Sequence, residues 1–264
     1  MAVDTKLITQ LREMTGAGVG DCKSALEEAN NDIDKAVEVM RKKGVLKAAK
    51  KADRATKEGV IALAKAEGKI AVTGLACETD FVSRNDEFIK AVDGFARQLL
   101  ETAEDEFKTW ADTKIKNELI VKIGENLQLV CASVIEGRVI GSYLHSNKKM
   151  ASVVVLSDGT QELANDLAMQ VAAMAPKYIR PEDVPAEEQK KEKEIHREQL
   201  KNEGKPEAMW EKIMAGKLQK YFTEVCLVKQ AFIKDDKITI EKLLQQAGGA
   251  KDKIEVISFF RFSI

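Results

Sequence analysis

Few of the side chains on which enzymes rely for nucleophilic or metal-dependent chemistry occur in this 264-residue chain. It has only two histidines, His145 and His196, and its four cysteines include no C-x-x-C pair. That spacing disfavours zinc sites and redox-active dithiols. A Cys77 or Cys131 nucleophile with His145 as its base is the enzymatic possibility that remains, and nothing in the spacing supports it. We therefore predict a protein that is not an enzyme and that holds neither a cofactor nor a metal.

Net positive charge and long apolar runs are also absent. Lysine plus arginine (42) nearly equals aspartate plus glutamate (43), so nucleic-acid binding would need a local basic patch. No apolar run approaches the roughly twenty residues that span a bilayer. The start, Met1-Ala2-Val3-Asp4, lacks the basic and apolar segments of a signal peptide. We therefore predict a cytoplasmic protein that binds neither membranes nor nucleic acid.

A phosphate-binding loop is suggested, at first, by the glycines of Gly16-Ala17-Gly18-Val19-Gly20-Asp21-Cys22-Lys23-Ser24. In that loop a glycine precedes the lysine, whereas here Cys22 precedes Lys23, and the residues upstream have a helical pattern instead of a strand pattern. The sequence therefore predicts no direct nucleotide binding.

Three short helices are predicted instead for the first 44 residues, because apolar residues recur there at helical spacing. The stripes are Leu7, Ile8, Leu11 and Met14; Cys22, Ala25, Leu26 and Ala29; and Ile33, Ala36, Val37 and Met40. We expect Asp21 to cap the second helix and Asn31 or Asp32 to cap the third. Gly44 offers the left-handed residue that would close the third helix. Such a bundle resembles ubiquitin-associated (UBA) domains, which usually bind partners through one face.

From Arg41 to Lys57 the chain is rich in lysine, arginine and alanine. This composition favours a solvated helical or semi-ordered tether, with a nucleic-acid-binding patch as the alternative.

The tetrapeptide Thr79-Asp80-Phe81-Val82 forms a predicted loop between a strand and a helix. Before it lies a run of short apolar and β-branched residues, which is typical of a buried strand. After it, apolar residues recur at helical spacing from Phe88 to Leu100, with Asn85 or Asp86 as the cap. Phe81 belongs to neither pattern. It is either a core-facing plug at the strand end or an exposed wedge that contacts another molecule.

The order strand, strand, helix occurs twice, which indicates a duplicated core. The copies comprise residues 59–62, 68–77 and 88–100, and then 138–146, 150–156 and 162–174. The second copy has the polar Ser157-Asp158-Gly159-Thr160 where the first has the tetrapeptide containing Phe81. Phe81 is therefore not required by the architecture, which favours a function for it.

Between the copies, a helix that reaches Ile123 is expected to stop at Gly124. A strand from Leu127 to Ile135 is then expected to turn back at Glu136-Gly137 into the second copy. Antiparallel strands covered by helices predict an α+β fold.

The part of the chain after residue 185 begins with a highly polar stretch, residues 187–205. A helix so polar cannot be central, and Gly204-Lys205-Pro206 indicates a reversal before an apolar face from Met209 to Leu218. The sequence thus predicts a protruding antiparallel helical hairpin. The predicted organisation is the bundle with its tether (1–57), a core N-subdomain (58–137), a core C-subdomain (138–184), the hairpin (185–222) and a return to the core (223–264), whose final strand is Ile254–Phe262.

Four motifs carry a resemblance that covers essentially the whole chain. They are Leu11-Arg12-Glu13-x-Thr15-Gly16-Ala17-Gly18 with Asp21-Cys22-Lys23, Thr79-Asp80-Phe81-Val82, Lys122-Ile123-Gly124-Glu125-Asn126 and Gly141-Ser142-Tyr143-x-His145. Together they are highly specific. The chain resembles the translation elongation factor Ts family, the exchange factors for the GTPase elongation factor Tu.

The resemblance implies a protein without catalytic chemistry that binds elongation factor Tu, GDP-bound or nucleotide-free, and promotes GDP release. In the family, the loop matching Asp80 and Phe81 inserts between helices of the GTPase domain and disturbs its Mg²⁺ and phosphate region. The implied contacts are Thr79, Asp80, Phe81 and Val82 in the loop, Arg12, Val19, Gly20 and Lys23 on the bundle, and His145 in the second subdomain.

The sequence departs from some relatives at Val19-Gly20, which replace bulkier apolar residues. A second interpretation is a non-catalytic UBA-like adaptor that binds ubiquitin-like proteins or nucleic acid. It would use the bundle or the tether from Lys42 to Lys57.

Overall fold

The computed structural model describes residues 3–203, 206–249 and 253–264, and it has an α+β fold, as predicted. The strands are β1 (Glu58–Ala66), β2 (Lys69–Cys77), β3 (Gln128–Glu136), β4 (Val139–Leu144), β5 (Met150–Leu156), β6 (Ala231–Phe232), β7 (Asp235–Thr239) and β8 (Val256–Ser263). The helices are α1 (Thr5–Thr15), α2 (Val19–Glu28), α3 (Ile33–Lys51), α4 (Asp80–Ser83), α5 (Asp86–Glu101), α6 (Glu104–Lys114), α7 (Ile120–Ile123), α8 (Gln161–Met174), α9 (Ala186–Asn202), α10 (Trp210–Val225) and α11 (Ile240–Gly248).

The chain divides into two compact units. The first comprises Met1–Ile135, Leu144–Met150 and Phe262–Ile264, and the second comprises Glu136–Tyr143 and Ala151–Arg261. The first unit contains α1 to α7 and the sheet β1-β2-β3. The second contains α8 to α11 and most of the sheet β4-β5-β8.

Helices α1 to α3 enclose a small apolar core in the first unit. The buried members are Leu11, Ala17, Cys22, Ala25, Leu26, Ala29, Ala36 and Met40. Met14, which was expected to belong to the first apolar stripe, is 57% exposed instead. The 3.6-residue period therefore predicted most of the residues of this core, but Met14 lies outside it.

The predicted cap of the second helix, Asp21, is wrong, and of the two candidates for the third helix the structure selects Asp32. Gly18, not Asp21, precedes α2 as its N-cap, in an extended conformation, and Asp21 lies in the first turn. Asp32 precedes α3, and its Oδ1 accepts a hydrogen bond from the backbone N–H of Lys35 at 3.0 Å. Gly16 adopts the left-handed conformation (φ +68°) that ends α1. The glycines here are helix boundaries, which is a role that needs no ligand.

The prediction that Gly44 closes the third helix is wrong, because α3 continues to Lys51. Gly44 is buried, and a Cβ there would lie 2.6 Å from Val121 Cγ2 and 2.8 Å from the backbone oxygen of Lys116. The missing side chain therefore serves close packing of α3 and not a left-handed turn. The side chains of residues 45–50, on which the predicted basic tether partly depends, lie outside the described residues.

In the first unit, β1 and β2 pair antiparallel with Glu58 opposite Cys77. Helix α5 lies on these two strands and begins at Asn85, whose Oδ1 accepts hydrogen bonds from the N–H groups of residues 87 and 88. Its apolar face, including Phe88 and Phe95, fills the core as the periodicity predicted. A π-helical turn, residues 115–119, separates α6 from α7, and Gly124 ends α7 in the left-handed conformation. That interruption of the predicted helix was not foreseen.

In the second unit, α8 packs its apolar face against the strands β5 and β8. The Thr160 hydroxyl caps α8 by accepting a hydrogen bond from the N–H of Leu163 at 3.2 Å. Strands β6 and β7 form a small antiparallel ribbon that the sequence analysis did not predict. The final strand begins at Val256, two residues later than expected, and Phe260 on it is 39% exposed.

The expected hairpin between the strands that flank Glu136-Gly137 is absent from the described part of the chain. Strand β3 belongs to the first sheet, where it pairs with β2, and β4 belongs to the second, where it pairs with β5. A short turn between two apolar runs does not decide which partner each strand takes. That choice depends on the sheet face that buries its apolar side chains.

Helices α9 and α10 contact each other in the second unit. The Tyr221 hydroxyl donates to Glu188 Oε1 at 2.5 Å, and Lys217 Nζ donates to Gln199 Oε1 at 2.9 Å. These bonds link the start of α9 to the end of α10 and the end of α9 to the middle of α10. The predicted reversal at Gly204-Lys205 lies outside the described residues.

Candidate partner-binding site

The tetrapeptide with Phe81 is not a loop, as the sequence analysis expected, but the start of the four-residue helical turn α4. Thr79 precedes α4 in an extended conformation and Arg84 follows it. The Phe81 side chain is 85% exposed, more than any other large apolar side chain in the described residues. The ring is therefore not a core-facing plug.

The neighbours of Phe81 explain why its ring faces solvent. Val82 packs against the core of the first unit, and Ser83 is only 8% exposed. Successive side chains in a helical turn point about 100° apart, so burial of residues 82 and 83 directs residue 81 away from the core. The local fold thus exposes an aromatic ring to water, which is unfavourable for an apolar surface.

The start of α4 is fastened by Glu125. Its Oε2 accepts hydrogen bonds from the backbone N–H groups of Glu78 at 2.9 Å and Thr79 at 3.1 Å. Its Oε1 accepts from the Thr79 hydroxyl at 2.5 Å. Hydrogen bonds to an ionised carboxylate are about twice as strong as neutral ones. One side chain therefore holds the two residues that lead into the turn.

A second set of hydrogen bonds connects the same two segments, but here the accepting carboxylate belongs to Glu78 and the donor to the segment that contains Glu125. Glu78 Oε1 accepts from the backbone N–H of Asn126 at 2.6 Å. The Asn126 side chain is almost fully buried, and its Nδ2 donates to the backbone oxygens of Ala52 at 3.3 Å and Arg54 at 2.9 Å. Residues 78–79, 125–126 and 52–54 therefore form one hydrogen-bonded platform beneath α4.

An open cleft of about 750 Å³ lies beside Phe81 within the first unit. Its lining includes Phe81, Ile89 and residues 146–149, which form the turn between β4 and β5. Lys149 Nζ forms an ion pair with Glu58 Oε2 at 2.5 Å, and this hydrogen bond holds the pKa of the Glu58 carboxyl below its usual value. The ion pair thus connects Lys149, in the turn between β4 and β5, to Glu58 at the start of β1.

Asp80 is the partly exposed polar residue of α4, whereas Ser83 is buried. Asp80 Oδ2 lies 3.1 Å from the guanidinium of Arg84; the Arg84 side chain is largely exposed and the Asp80 side chain is half-buried. Exposed pairs of this kind contribute at most about 1 kcal/mol, so the two charges exchange partners at little cost. Asp80 is therefore free to contact another protein without destabilising α4.

The remaining predicted contacts lie at two other places in the first unit. Val19 and Lys23 are exposed one turn apart on α2, with Gly20 beside them, and Arg12 is exposed on α1. His145 lies in the turn after β4, where its backbone N–H donates to the Met150 oxygen at 2.9 Å. His145 directly precedes residues 146–149, which line the cleft beside Phe81.

The possible thiol nucleophiles are poorly suited to that role. Burial raises the pKa of Cys77 to about 12, and the charges of Glu125 and Glu58 add to the increase. Burial likewise raises the pKa of Cys131 to about 11. The thiolate is the reactive form, and at neutral pH neither cysteine has an appreciable thiolate fraction. The raised pKa values therefore give no support to Cys77 or Cys131 as a nucleophile.

Both thiols are expected to resist alkylation in the folded protein. At pH 7.5, iodoacetamide is expected to label Cys77 about a thousandfold more slowly than an exposed thiol of ordinary pKa, because so little thiolate forms and the side chain is buried. Peptide mass spectrometry over a time course measures the rate. Labelling of guanidinium-unfolded protein is the control. A native rate equal to the unfolded rate would contradict the burial of Cys77.

The sequence pattern predicts a role for Phe81 but none for the residues that hold it. Glu125 and Asn126 belong to one of the family motifs, and no pattern distinguishes Glu58 or Lys149. A polar run directly after a helix-ending glycine was the available signal. Its partners lie 46 to 48 residues away in the chain, and no local pattern could reveal that pairing.

Within the described residues, no helix combines the length and the apolar character that a membrane span requires.

Comparisons with known proteins agree with the motifs. A family profile described as "Elongation factor TS" matches residues 78–264. The chain is 42% identical over 277 aligned residues to "Elongation factor Ts" of Hydrogenobaculum sp. (strain Y04AAS1), an alignment that covers 100% of this chain and 99% of the relative. It is 43% identical to the protein of the same name from Psychromonas ingrahamii, with 100% and 91% covered, and 40% identical to that from Aquifex aeolicus, with 100% and 98% covered.

The profile spans more than half of the chain, and each of these relatives aligns along all of it. The resemblance predicted from the motifs is confirmed, and this chain belongs to the elongation factor Ts family, a family of translation elongation factors.

Proposed function

We propose that this chain binds elongation factor Tu in its GDP-bound and nucleotide-free forms and promotes release of GDP, so that GTP can be loaded. The observation that carries the proposal is the solvent-facing ring of Phe81 on a turn that is fastened at its base. Phe81 acts as a wedge that enters the GTPase domain near its Mg²⁺ and phosphate site. The chain needs no cofactor and catalyses no chemical step in this role.

The other residues of α4 support the wedge. Thr79 and Val82 hold the turn on the first unit through the Glu125 carboxylate and the apolar core. Asp80, half-buried next to the ring, offers a polar contact to the partner. The burial of Val82 and the exposure of Phe81 support this division of roles.

The proposal includes a second contact, made by the amino-terminal bundle, which we take to be UBA-like. Arg12, Val19, Gly20 and Lys23 would bind elongation factor Tu through the exposed face of α1 and α2. His145 would meet another domain of the partner. The domain organisation proposed for the chain is residues 1–57, 58–137, 138–184, a helical hairpin at 185–222, and 223–264. The bundle contacts lie in the first of these ranges, α4 in the second and His145 in the third.

Linkage explains how a binding protein can release a nucleotide. If this chain prefers nucleotide-free elongation factor Tu, it lowers the affinity for GDP by the same factor by which GDP lowers its own affinity. Only contacts that differ between the two states contribute to this factor. A wedge that fits only after Mg²⁺ and phosphate contacts loosen supplies such a difference.

A nucleotide-release assay tests the proposal. Elongation factor Tu loaded with fluorescent GDP is mixed with excess unlabelled GDP, with and without this chain, in a stopped-flow instrument. We expect faster loss of the fluorescent nucleotide in proportion to the added chain until saturation. The chain alone with GDP serves as the control and should show neither binding nor turnover. An unchanged release rate would reject the proposal and favour the adaptor that uses the bundle or the tether.

A further inference from the structure

We propose that Glu125 is a positioning residue for nucleotide exchange: its carboxylate holds the backbone at Glu78 and Thr79 so that α4 presents Phe81 to the partner. This inference rests on the proposed exchange function, and it adds a residue that acts through the wedge. The evidence is the set of three hydrogen bonds that converge on one side chain, at 2.9, 3.1 and 2.5 Å.

A turn as short as α4 needs such support. It has four residues, far fewer than the roughly twelve that an isolated helix requires for marginal stability in water. Phe81 cannot hold the turn in place, because its ring is 85% exposed. The direction in which the ring points is therefore determined by the backbone of α4 and by what fixes that backbone at its ends.

Glu125 fixes the amino-terminal end. No side chain caps α4 from within, since the Thr79 hydroxyl donates to Glu125 instead of accepting from the turn. The carboxylate satisfies two backbone N–H groups that lie outside the helical hydrogen-bond pattern and also accepts from the hydroxyl of Thr79. Loss of its charge would weaken all three bonds together.

Glu125 is itself held firmly enough to act as an anchor. The adjacent Asn126 is bound through its N–H to Glu78 and through its amide to the backbone of residues 52 and 54. Lys51 Nζ donates to the backbone oxygen of Gly124 on the other side. The anchor segment is therefore connected to the end of α3 as well as to the residues that lead into α4.

The test is a double-mutant cycle with Phe81 in the full-length chain. Glu125→Gln keeps the size of the side chain but replaces one acceptor oxygen with an amide that cannot accept from N–H groups. We expect this variant to lower the maximal GDP release rate from elongation factor Tu about tenfold, because misplacing a contact group by about 1 Å costs up to a hundredfold. In a Phe81→Ala background the same change should alter the rate less than twofold.

Matched variants separate positioning from loss of folding. Thr79→Ser keeps the hydroxyl that Glu125 accepts and should retain most of the rate, whereas Thr79→Val removes it and should resemble Glu125→Gln. Glu118→Gln changes an exposed carboxylate of the same unit that pairs with Lys114 at 2.9 Å, and it should leave exchange unchanged. Urea unfolding of each variant checks that the fold is intact.

The outcomes distinguish this inference from the function on which it rests. If Phe81→Ala slows release but Glu125→Gln does not, or slows it equally in both backgrounds, the positioning role is overturned and the wedge remains. An effect of Glu125→Gln only on the concentration for half-saturation would also overturn it, since that indicates a contact used in binding alone. If Phe81→Ala leaves the rate unchanged, the wedge role fails and the positioning role fails with it.

Discussion

Under the proposed function, replacement of Phe81 by alanine is expected to slow the stimulated release of GDP from elongation factor Tu by roughly tenfold to a hundredfold. Burial of a phenylalanine side chain in a partner pocket contributes about 1.5–3 kcal/mol, and each 1.4 kcal/mol corresponds to a factor of ten. The loss should appear in the maximal rate at saturating chain, because the proposed wedge contacts the nucleotide-free state more than the GDP-bound state. Stopped-flow release of fluorescent GDP measures it.

A graded series provides the control for this prediction. Phe81→Leu keeps part of the apolar volume and should lie between alanine and the unchanged chain. Because the ring is 85% exposed, neither variant should lower the urea midpoint of unfolding. A maximal rate that is insensitive to all changes at this position would show that exchange depends on another contact.

Replacement of Gly141 by alanine is expected to destabilise the second unit by about 3 kcal/mol or more. Gly141 lies on β4 where the strand meets α8, and a Cβ there would overlap the backbone carbonyl of Ala164 and come within 2.5 Å of the Asn165 nitrogen. The backbone of α8 cannot rotate away as a side chain can. Two hydrogen bonds hold it close: Gln161 Nε2 donates to the Ile140 oxygen at 2.7 Å and the N–H of Ser142 donates to Asn165 Oδ1 at 3.1 Å.

Gly216 provides the matched control in the same unit. It is exposed within α10, and a Cβ there would have no heavy atom within 4 Å. Gly216→Ala should therefore stabilise the protein by about 0.5–1 kcal/mol, which is the helix-propensity difference. Urea unfolding followed by circular dichroism measures both changes, and hydrogen exchange of residues 161–174 localises the first. Equal stability of the two variants would contradict the close contact between β4 and α8.

The apolar pattern of the sequence predicted the elements whose cores are built from long, regular stripes. Helix α5 is an example, since its buried Phe88, Val92, Phe95 and Leu99 recur at the expected spacing and Asn85 caps it as one of two candidates. Gly124 ends α7 at the predicted position, in the left-handed conformation. Local spacing and local hydrogen bonding are sufficient in these cases, because the determining partners lie within a few residues.

Most of the predictions that failed needed knowledge of distant partners. Gly44 has the same local appearance as a helix-closing glycine, yet it allows α3 to pack against Lys116 and Val121, more than 70 residues away. The strands on either side of Glu136-Gly137 separate into two sheets. The predicted loop at residues 79–82 begins a helical turn because Val82 and Ser83 find buried positions.

By itself, the sequence determined that this chain is an α+β member of the elongation factor Ts family and that Phe81 belongs to no apolar stripe. It could do so because helical and strand periods, glycine boundaries and short motifs are properties of neighbouring residues. Only the tertiary structure decided that the Phe81 ring faces solvent and that Glu125 lies beneath the turn that carries it. Both depend on contacts between segments separated by tens of residues, and such contacts form only when burial of the core brings those segments together.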